Sequence, residues 1–302
     1  MRRKRIDGVT VGIVGGIGNQ LFQYYAGRYL AEKNNSKLIL DFGNHGVAGT
    51  KHLGTLRDLE FGIPIDELNT DSTLIREYSW RIHQKISRDI PHIGRFSTKY
   101  LRKFQSKVIG YDPELTFLHS PINIRGYFQT WRYIDSLDAS FSETPSLRIS
   151  SEWFRTTSDL IELNQPFAIH IRRGDYEKSR GTFGVLSRDY YSKALKALEI
   201  HGSVGKVFVF SDDIEKSKAI LSLLDYDFTY IVPPIDSNPV ESLFLMSKCS
   251  GLVIANSSFS WWAGKFGDPS RQIIAPSKWF RGLQDPSDLI PDHWKRIESC
   301  WE

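Results

Sequence analysis

The chain has 302 residues, 40% of them hydrophobic and 25% charged, with a net charge of +4. That is the composition of a globular protein long enough for two domains, and it excludes a disordered or collagen-like chain. Two cysteines, Cys249 and Cys300, are too few for a disulfide framework or a cysteine-built metal centre, and no apolar run reaches the ~18 residues of a membrane span.

In chain order, Val9–Val14 reads as a first strand, and the turn Gly15-Gly16-Ile17-Gly18 leads into a helix over Gln20–Lys33 with Leu21, Tyr24, Tyr25 and Leu30 at helical spacing. Lys37–Asp41 is the second strand. From Arg76 to Lys107 nine Lys or Arg face two acids, a local balance of +7 that leaves −3 for the rest, and this basic region reads as helical. The strand Ile122–Tyr127 closes a first half, with a boundary expected between 145 and 146. The second half opens with a helix near Ser151–Leu163 and the buried strand running into His170. A Ser-capped helix Ser187–Glu199 follows, then the strand Lys206–Phe210, ending in Ser211-Asp212-Asp213, and a helix Ile214–Leu224. Strands Phe228–Val232, Gly251–Ala255 and Gln272–Ala275 alternate with helices Val240–Lys248 and from Phe259 onward. Such alternation predicts parallel sheets with ligand loops at the strands' carboxyl ends.

The heptapeptide His170-Ile171-Arg172-Arg173-Gly174-Asp175-Tyr176 leaves an apolar strand for a polar turn. Alternation puts His170 and Arg172 on one face and turns Arg173 away from Arg172. Arg is suited to fork onto phosphate oxygens and keeps its charge. Asp175 can hold one guanidinium, and Gly174 lets the backbone turn or approach a ligand. The competing reading is a solvated strand end with an Arg–Asp ion pair. A histidine on an otherwise apolar strand brings the anion site level with that reading.

The amino-terminal glycines raise a different possibility. Gly16-x-Gly18 opens a helix after a strand, with Asp41 at a Rossmann distance, as in an NAD-dependent oxidoreductase. Leu21, however, fills the place of the third glycine, whose absence of a side chain permits close helix–strand packing. Asn19 and Gln20 instead place two amides at a helix start. Further along, Ser257 and Ser258 stand between a strand and a helix, either as an anion site or as an ordinary cap. Asp212 can accept from guanine amines, or the Asp212-Asp213 pair can cap the next helix. Glu241 reads as favourable charge at a helix start rather than a ribose ligand, and Trp261 and Trp262 as packing.

His-x-Arg-Arg-x-Asp-Tyr resembles the signature of the α1,2-fucosyltransferases. Three further segments are similar to that family's motifs in the expected order: Gly15–Tyr24, Gly126–Tyr133 and Asn256–Ala263. The resemblance implies an α/β fold of the GT-B type, two Rossmann-like domains facing a cleft, with residues 1–145 on the acceptor side and 146–302 binding GDP-fucose. It implies inverting transfer of L-fucose from GDP-β-L-fucose to the 2-hydroxyl of a galactoside. Arg173 is expected at the β-phosphate, assisted by Arg172 or with Arg172 braced by Asp175. Asp175 is the available base, although its Arg neighbours make it a poor one, and Asn19 is expected to orient the acceptor or bind phosphate. Gly16, Gly18, Asn19 and Gln20 are expected to face the donor from the glycine turn. His170 and Asp212 are expected to contact guanine, with Asn256, Ser257, Ser258 and Ser260 completing the donor site. No metal or other cofactor is expected: guanidinium replaces the cation, and Asp212-Asp213 is not the Asp-x-Asp of metal-dependent transferases. A sugar-nucleotide-binding protein without turnover is a further reading.

The Arg2-Arg3-Lys4-Arg5 start lacks the apolar stretch of a signal peptide, so a cytoplasmic bacterial enzyme is expected. Arg76–Lys107 reads either as solvated helix faces or as a surface docking a lipid-linked oligosaccharide at the inner face of the membrane. Nucleic acid is not an expected partner.

Overall fold

The structure, a computed structural model, describes residues 7–43, 54–62, 65–67, 102–139, 144–199 and 205–302. The chain begins with β1 (Val9–Gly12), α1 (Ile17–Lys33), β2 (Leu38–Asp41), the short strands β3 (Leu59–Glu60) and β4 (Asp66–Glu67), β5 (Arg102–Gln105), β6 (Ile122–Arg125) and the single turn α2 (Arg132–Asp135). It continues with β7 (Ser146–Leu147), α3 (Glu152–Asn164), β8 (Phe167–Ile171), α4 (Arg188–Glu199), β9 (Val207–Ser211) and α5 (Ile214–Leu221). The last elements are β10 (Phe228–Tyr230), α6 (Pro239–Lys248), β11 (Gly251–Val253), α7 (Ser258–Phe266), β12 (Gln272–Pro276) and β13 (Lys295–Ile297). The described residues divide into two compact units, one within 1–15, 19–51 and 61–143, the other within 16–18, 52–60 and 144–302.

The first unit holds a five-stranded sheet in the order β4-β2-β1-β6-β5, parallel throughout. Every residue of β1 is buried, as a central strand covered on both faces requires. The α1 residues Leu21, Tyr24, Tyr25 and Leu30 are all at most 2% exposed, so this helix is core rather than surface. β1 stops two residues short of the predicted end because the Val14 N–H is taken by the Gln23 side chain (2.9 Å) instead of a strand. β6 stops at Arg125, and Phe128 adopts a left-handed φ of 52° just beyond. The end of the basic stretch is a strand, β5, where the sequence predicts a helix; residues 76–101 lie outside the described ones.

The second unit is built on a six-stranded parallel sheet ordered β10-β9-β8-β11-β12-β13. Counted from β8 this is the Rossmann order 3-2-1-4-5-6, whose reversal between β8 and β11 opens a crevice beyond their carboxyl ends. Helix starts follow their sequence signals. The Ser151 Oγ accepts from Phe154 N (3.1 Å), Asp213 from Lys216 N (3.1 Å), and Asn238 from Val240 N (3.0 Å) with Pro239 next. The buried guanidinium of Arg271 closes the other ends of α6 and α7, donating to the carbonyls of Met246 (3.0 Å), Cys249 (3.1 Å), Gly264 (3.3 Å) and Ala263. Burial lowers its pKa to about 10. β13 and the antiparallel pair β3–β7 carry no pattern that the sequence reading detects. Among the described residues no helix is long and apolar enough to cross a membrane.

Candidate active site

β8 delivers His170 to the switch-point crevice. The side chain is buried (4% exposed), its ring lies 5.8 Å from that of Phe259 in the first turn of α7, and its Nδ1 has no partner. Burial, helped by the charge of Arg172, pushes the imidazole down to about 3, so it is neutral at working pH.

Arg172 leaves the strand on the same face. Its Nη1 lies 2.9 Å from Asp212 Oδ2, its Nη2 donates to Asp175 Oδ1 at 2.5 Å, and its guanidinium sits 5.4 Å from the centre of the Tyr176 ring. The Tyr176 hydroxyl in turn donates to the Asn256 carbonyl (3.1 Å), tying the turn after β8 to the segment after β11. The Arg172 Nε is buried and has no hydrogen-bond partner. A side chain at Gly174 would press on Asp212 Oδ2, so glycine leaves the Asp212–Arg172 pair undisturbed. Burial raises the Asp212 carboxyl, while Arg172 and the Arg173 N–H pull it back.

Arg173, expected at the phosphate, goes elsewhere. Alternation sends it to the other side of the strand, where its Nη1 and Nη2 fork onto Glu302 (2.6 and 2.8 Å) and its Nε donates to Glu177 (3.1 Å). With three guanidinium contacts made at 5% exposure, its charge is committed within the protein. Burial alone would lower its pKa; the hydrogen bonds and charge of Glu302, with the charge of Glu177, outweigh that and raise it. Asp212, expected at guanine, likewise spends Oδ1 on the Arg173 N–H (2.9 Å) and Oδ2 on Arg172. Asp175 accepts from Arg172 through Oδ1, with its side chain 70% exposed. Glu177 was discoverable from its i,i+4 spacing to Arg173. Glu302, 129 residues away, left no local signal.

The other expected donor groups divide. Asn256 is 2% exposed and its Nδ2 ties the carbonyls of Phe183 (2.8 Å) and Trp279 (3.0 Å) together inside the protein. Ser260 is fully buried and its hydroxyl returns to the carbonyls of Ser257 (3.3 Å) and Ala255 (3.4 Å). Ser257 begins α7 without a side-chain cap bond, and Ser258 is half-buried beside it. Gly18 belongs to the same corner. Its carbonyl accepts from Trp262 Nε1 (2.8 Å), and a Cβ on it would lie 2.5 Å from the Ser258 carbonyl carbon. Close packing against α7 therefore explains this glycine. Gly16 is half-buried in the same turn. Glu241 accepts from Ser151 N (2.6 Å) and Oγ (2.8 Å), which is a structural use.

In the first unit, Asn19 Oδ1 accepts from Gln129 Nε2 at 2.8 Å. Gln20 is buried and donates to the Gly15 carbonyl (2.8 Å), holding the glycine turn from within. Asp41, the acid of the dinucleotide reading, is buried and meets Arg125 Nη2 (3.4 Å) and Gly43 N (3.2 Å). Among the described residues no three His, Cys, Asp or Glu gather in a metal-binding cluster.

Comparison with known proteins agrees with this construction. The family described as glycosyl transferase family 11 matches residues 89–279. The alpha-1,2-colitosyltransferase of Escherichia coli is 30% identical over 304 residues, covering 96% of this chain and 99% of its own. The O-antigen biosynthesis glycosyltransferase WbnK of Escherichia coli is 28% identical over 311 residues, covering 93% and 97%. Among solved structures, a point mutant of Arabidopsis thaliana FUT1 in complex with GDP superposes with a TM-score of 0.55 at 12% identity, covering 91% of this chain and 72% of that one. The α-1,6-fucosyltransferase NodZ soaked with GDP-fucose superposes at 0.50 and 12% identity, covering 87% and 93%. The chain belongs to glycosyl transferase family 11, and its two Rossmann-like units have the GT-B fold.

Proposed function

We propose that this glycosyltransferase moves L-fucose, with inversion, from GDP-β-L-fucose to the 2-hydroxyl of a galactoside in a surface glycan such as an O-antigen. The observation that carries the reading is Arg172, which shares the carboxyl edge of β8 with the neutral His170 and is braced by Asp212 at 2.9 Å. Negative charge grows on the departing GDP as the sugar becomes oxocarbenium-like. A guanidinium already fixed by two carboxylates meets that charge without reorganising. The phosphate role expected of Arg173 thus passes to Arg172. His170 contributes hydrogen bonding rather than charge. GDP or GDP-fucose accompanies the solved relatives, and O-antigen synthesis is named for WbnK.

The first unit takes the acceptor in this reading, through Asn19 and Gln129 and the half-exposed Tyr127 that precedes Gln129 on β6's outgoing turn. No divalent cation takes part, because Arg172 supplies the positive charge.

One relative favours a second donor. It is named a colitosyltransferase, and colitose is L-fucose without the 3-hydroxyl. A site that hydrogen-bonds that hydroxyl rejects the deoxy sugar strongly, whereas a site without such a partner does not. Purified protein should therefore be offered GDP-fucose and GDP-colitose with a panel of galactosides, and the product linkage read by NMR. Faster transfer from GDP-fucose to O2 is expected. A faster colitosyl reaction replaces the donor, linkage to another hydroxyl replaces the acceptor position, and binding without turnover makes the chain a sugar-nucleotide-binding protein.

A further inference from the structure

The grip on Arg173 comes from a residue outside the stretch 89–279 that the family matches. Glu302 is itself held in place. Its N–H donates to the Val185 carbonyl (2.9 Å), its carbonyl accepts from Arg281 Nη1 (2.6 Å), and Trp301 pairs antiparallel with Leu186. The carboxylate so placed takes both terminal nitrogens of Arg173 and also lies 3.5 Å from Arg180 Nη2.

Arg173 and Arg172 share one further carboxylate. Asp212 receives the Arg173 backbone N–H on Oδ1 and pairs with the Arg172 guanidinium through Oδ2. Without Glu302, a guanidinium only 5% exposed keeps a single side-chain partner, Glu177. A buried charge left short of partners moves to the nearest compensation it can reach. The Arg173 main chain, whose N–H fixes Asp212 Oδ1, moves with it. Arg172 would then depend on Asp175, whose side chain is 70% exposed, and would lose its fixed direction.

We infer that Glu302 is a positioning residue for the transfer reaction: by holding Arg173 it keeps the Arg173 N–H on Asp212 and so keeps Asp212 aimed at Arg172. The inference rests on the reading above that Arg172 meets the diphosphate. Glu302 touches neither substrate in this scheme, so its effect should appear in turnover more than in nucleotide binding.

The test is a double-mutant cycle of Glu302→Gln, Arg173→Gln and the pair, reading kcat, donor KM and GDP affinity by calorimetry. Glu302→Gln should lower kcat by about tenfold or more while the GDP Kd stays within about threefold. The double variant should be no slower than Arg173→Gln alone, because the defect travels through Arg173. Glu302→Asp, which keeps the charge with a shorter reach, should fall between Glu302→Gln and wild type, and it serves if the Gln variant melts. Additive losses, or wild-type kcat in Glu302→Gln, overturn the inference. If the wild type uses another nucleotide sugar, the fucose donor fails and the cycle is read on that sugar instead.

Discussion

Gln129 Nε2 donates to Asn19 Oδ1 at 2.8 Å, and this bond joins two motifs that lie 110 residues apart in the chain. It is made possible by the turn after β6, where Phe128 takes a left-handed φ of 52° and sinks its ring completely. A left-handed conformation in a non-glycine residue costs on the order of 1 kcal/mol or more and persists where surrounding packing fixes it. The result is that Gln129 turns inward and Tyr127 outward, 51% exposed.

Fixing the Asn19 oxygen leaves its amide N–H groups pointing the other way. If these face the acceptor, Gln129→Ala should raise the acceptor KM about fivefold, since a neutral hydrogen bond nets ~1 kcal/mol. Tyr127→Ala should raise it as well, with Tyr127→Phe close to wild type because a sugar face needs the ring. GDP affinity measured beside the kinetics separates this from a donor effect, and an unchanged acceptor KM would remove the pair from acceptor binding.

The two adjacent arginines should behave in opposite ways. Arg172→Ala is expected to keep its fold and lose ~3–4 kcal/mol of transition-state stabilisation, as removal of one preorganised donor does elsewhere. Arg172→Lys should recover little, since an ammonium cannot reproduce the fork. Arg173→Ala instead removes the charged hydrogen bonds to Glu302 and Glu177, which keep Arg180 and Lys216 beside them, and costs ~1.5–3 kcal/mol of stability. Urea unfolding together with kcat decides between them: a stable but inactive Arg173→Ala would restore the phosphate role to Arg173.

The sequence patterns that repeat along the chain were the legible ones. Strand–helix alternation marked most strands and helices of the second sheet, and Ser151, Asp213 and Asn238 marked where helices begin. His170 and Arg172 were legible as a pair because a strand's period of two puts them on one face. The same rule turned Arg173 away, but which face met the ligand edge depended on Asp212 and Glu302, one 39 and the other 129 residues distant. Asn256, Ser260 and Gln20 looked like ligand groups because amides and hydroxyls near a turn serve a ligand or the backbone equally well. Only the carbonyls around them decide, and several of those come from remote segments.

His170 should leave a mark on acid stability. It is held at about 3 against an ordinary 6.5, so between these values the unfolded chain takes up a proton that the folded chain refuses. Its contribution is therefore nil above pH 6.5 and destabilising below it, by ~1.4 kcal/mol per pH unit until the folded value is reached. From pH 7 to pH 5 the wild type should lose about 2 kcal/mol that His170→Phe does not lose. Unfolding free energies of both proteins at the two pH values check this, and parallel losses would mean that the imidazole is reached by solvent.

Transfer should also survive chelation. In the proposed reaction Arg172 supplies the positive charge, so excess EDTA is expected to leave kcat within about twofold. Activity lost in EDTA and restored by Mn²⁺ would contradict this and direct attention to Asp212 and Asp213 as ligands.

The basic stretch gives the last prediction, now with a structural competitor. Arg102 and Lys103 are exposed on β5, which among the described residues forms one edge of the first sheet, and charged side chains on an edge strand discourage pairing with another chain. That role depends on charge of either sign, whereas docking an anionic lipid-linked acceptor needs positive charge. Changing both residues to Glu should therefore keep the protein monodisperse and lower transfer to the lipid-linked acceptor several-fold. A small neutral galactoside should be unaffected. Wild-type transfer to the lipid-linked acceptor should also weaken with salt, since exposed charges are screened over ~10 Å at 0.1 M. Changing both to Thr should promote aggregation by light scattering if the edge is what they guard. Equal losses on both acceptors would mean that β5 supports the fold, and unchanged lipid-linked transfer in the Glu variant would leave the edge as the whole explanation.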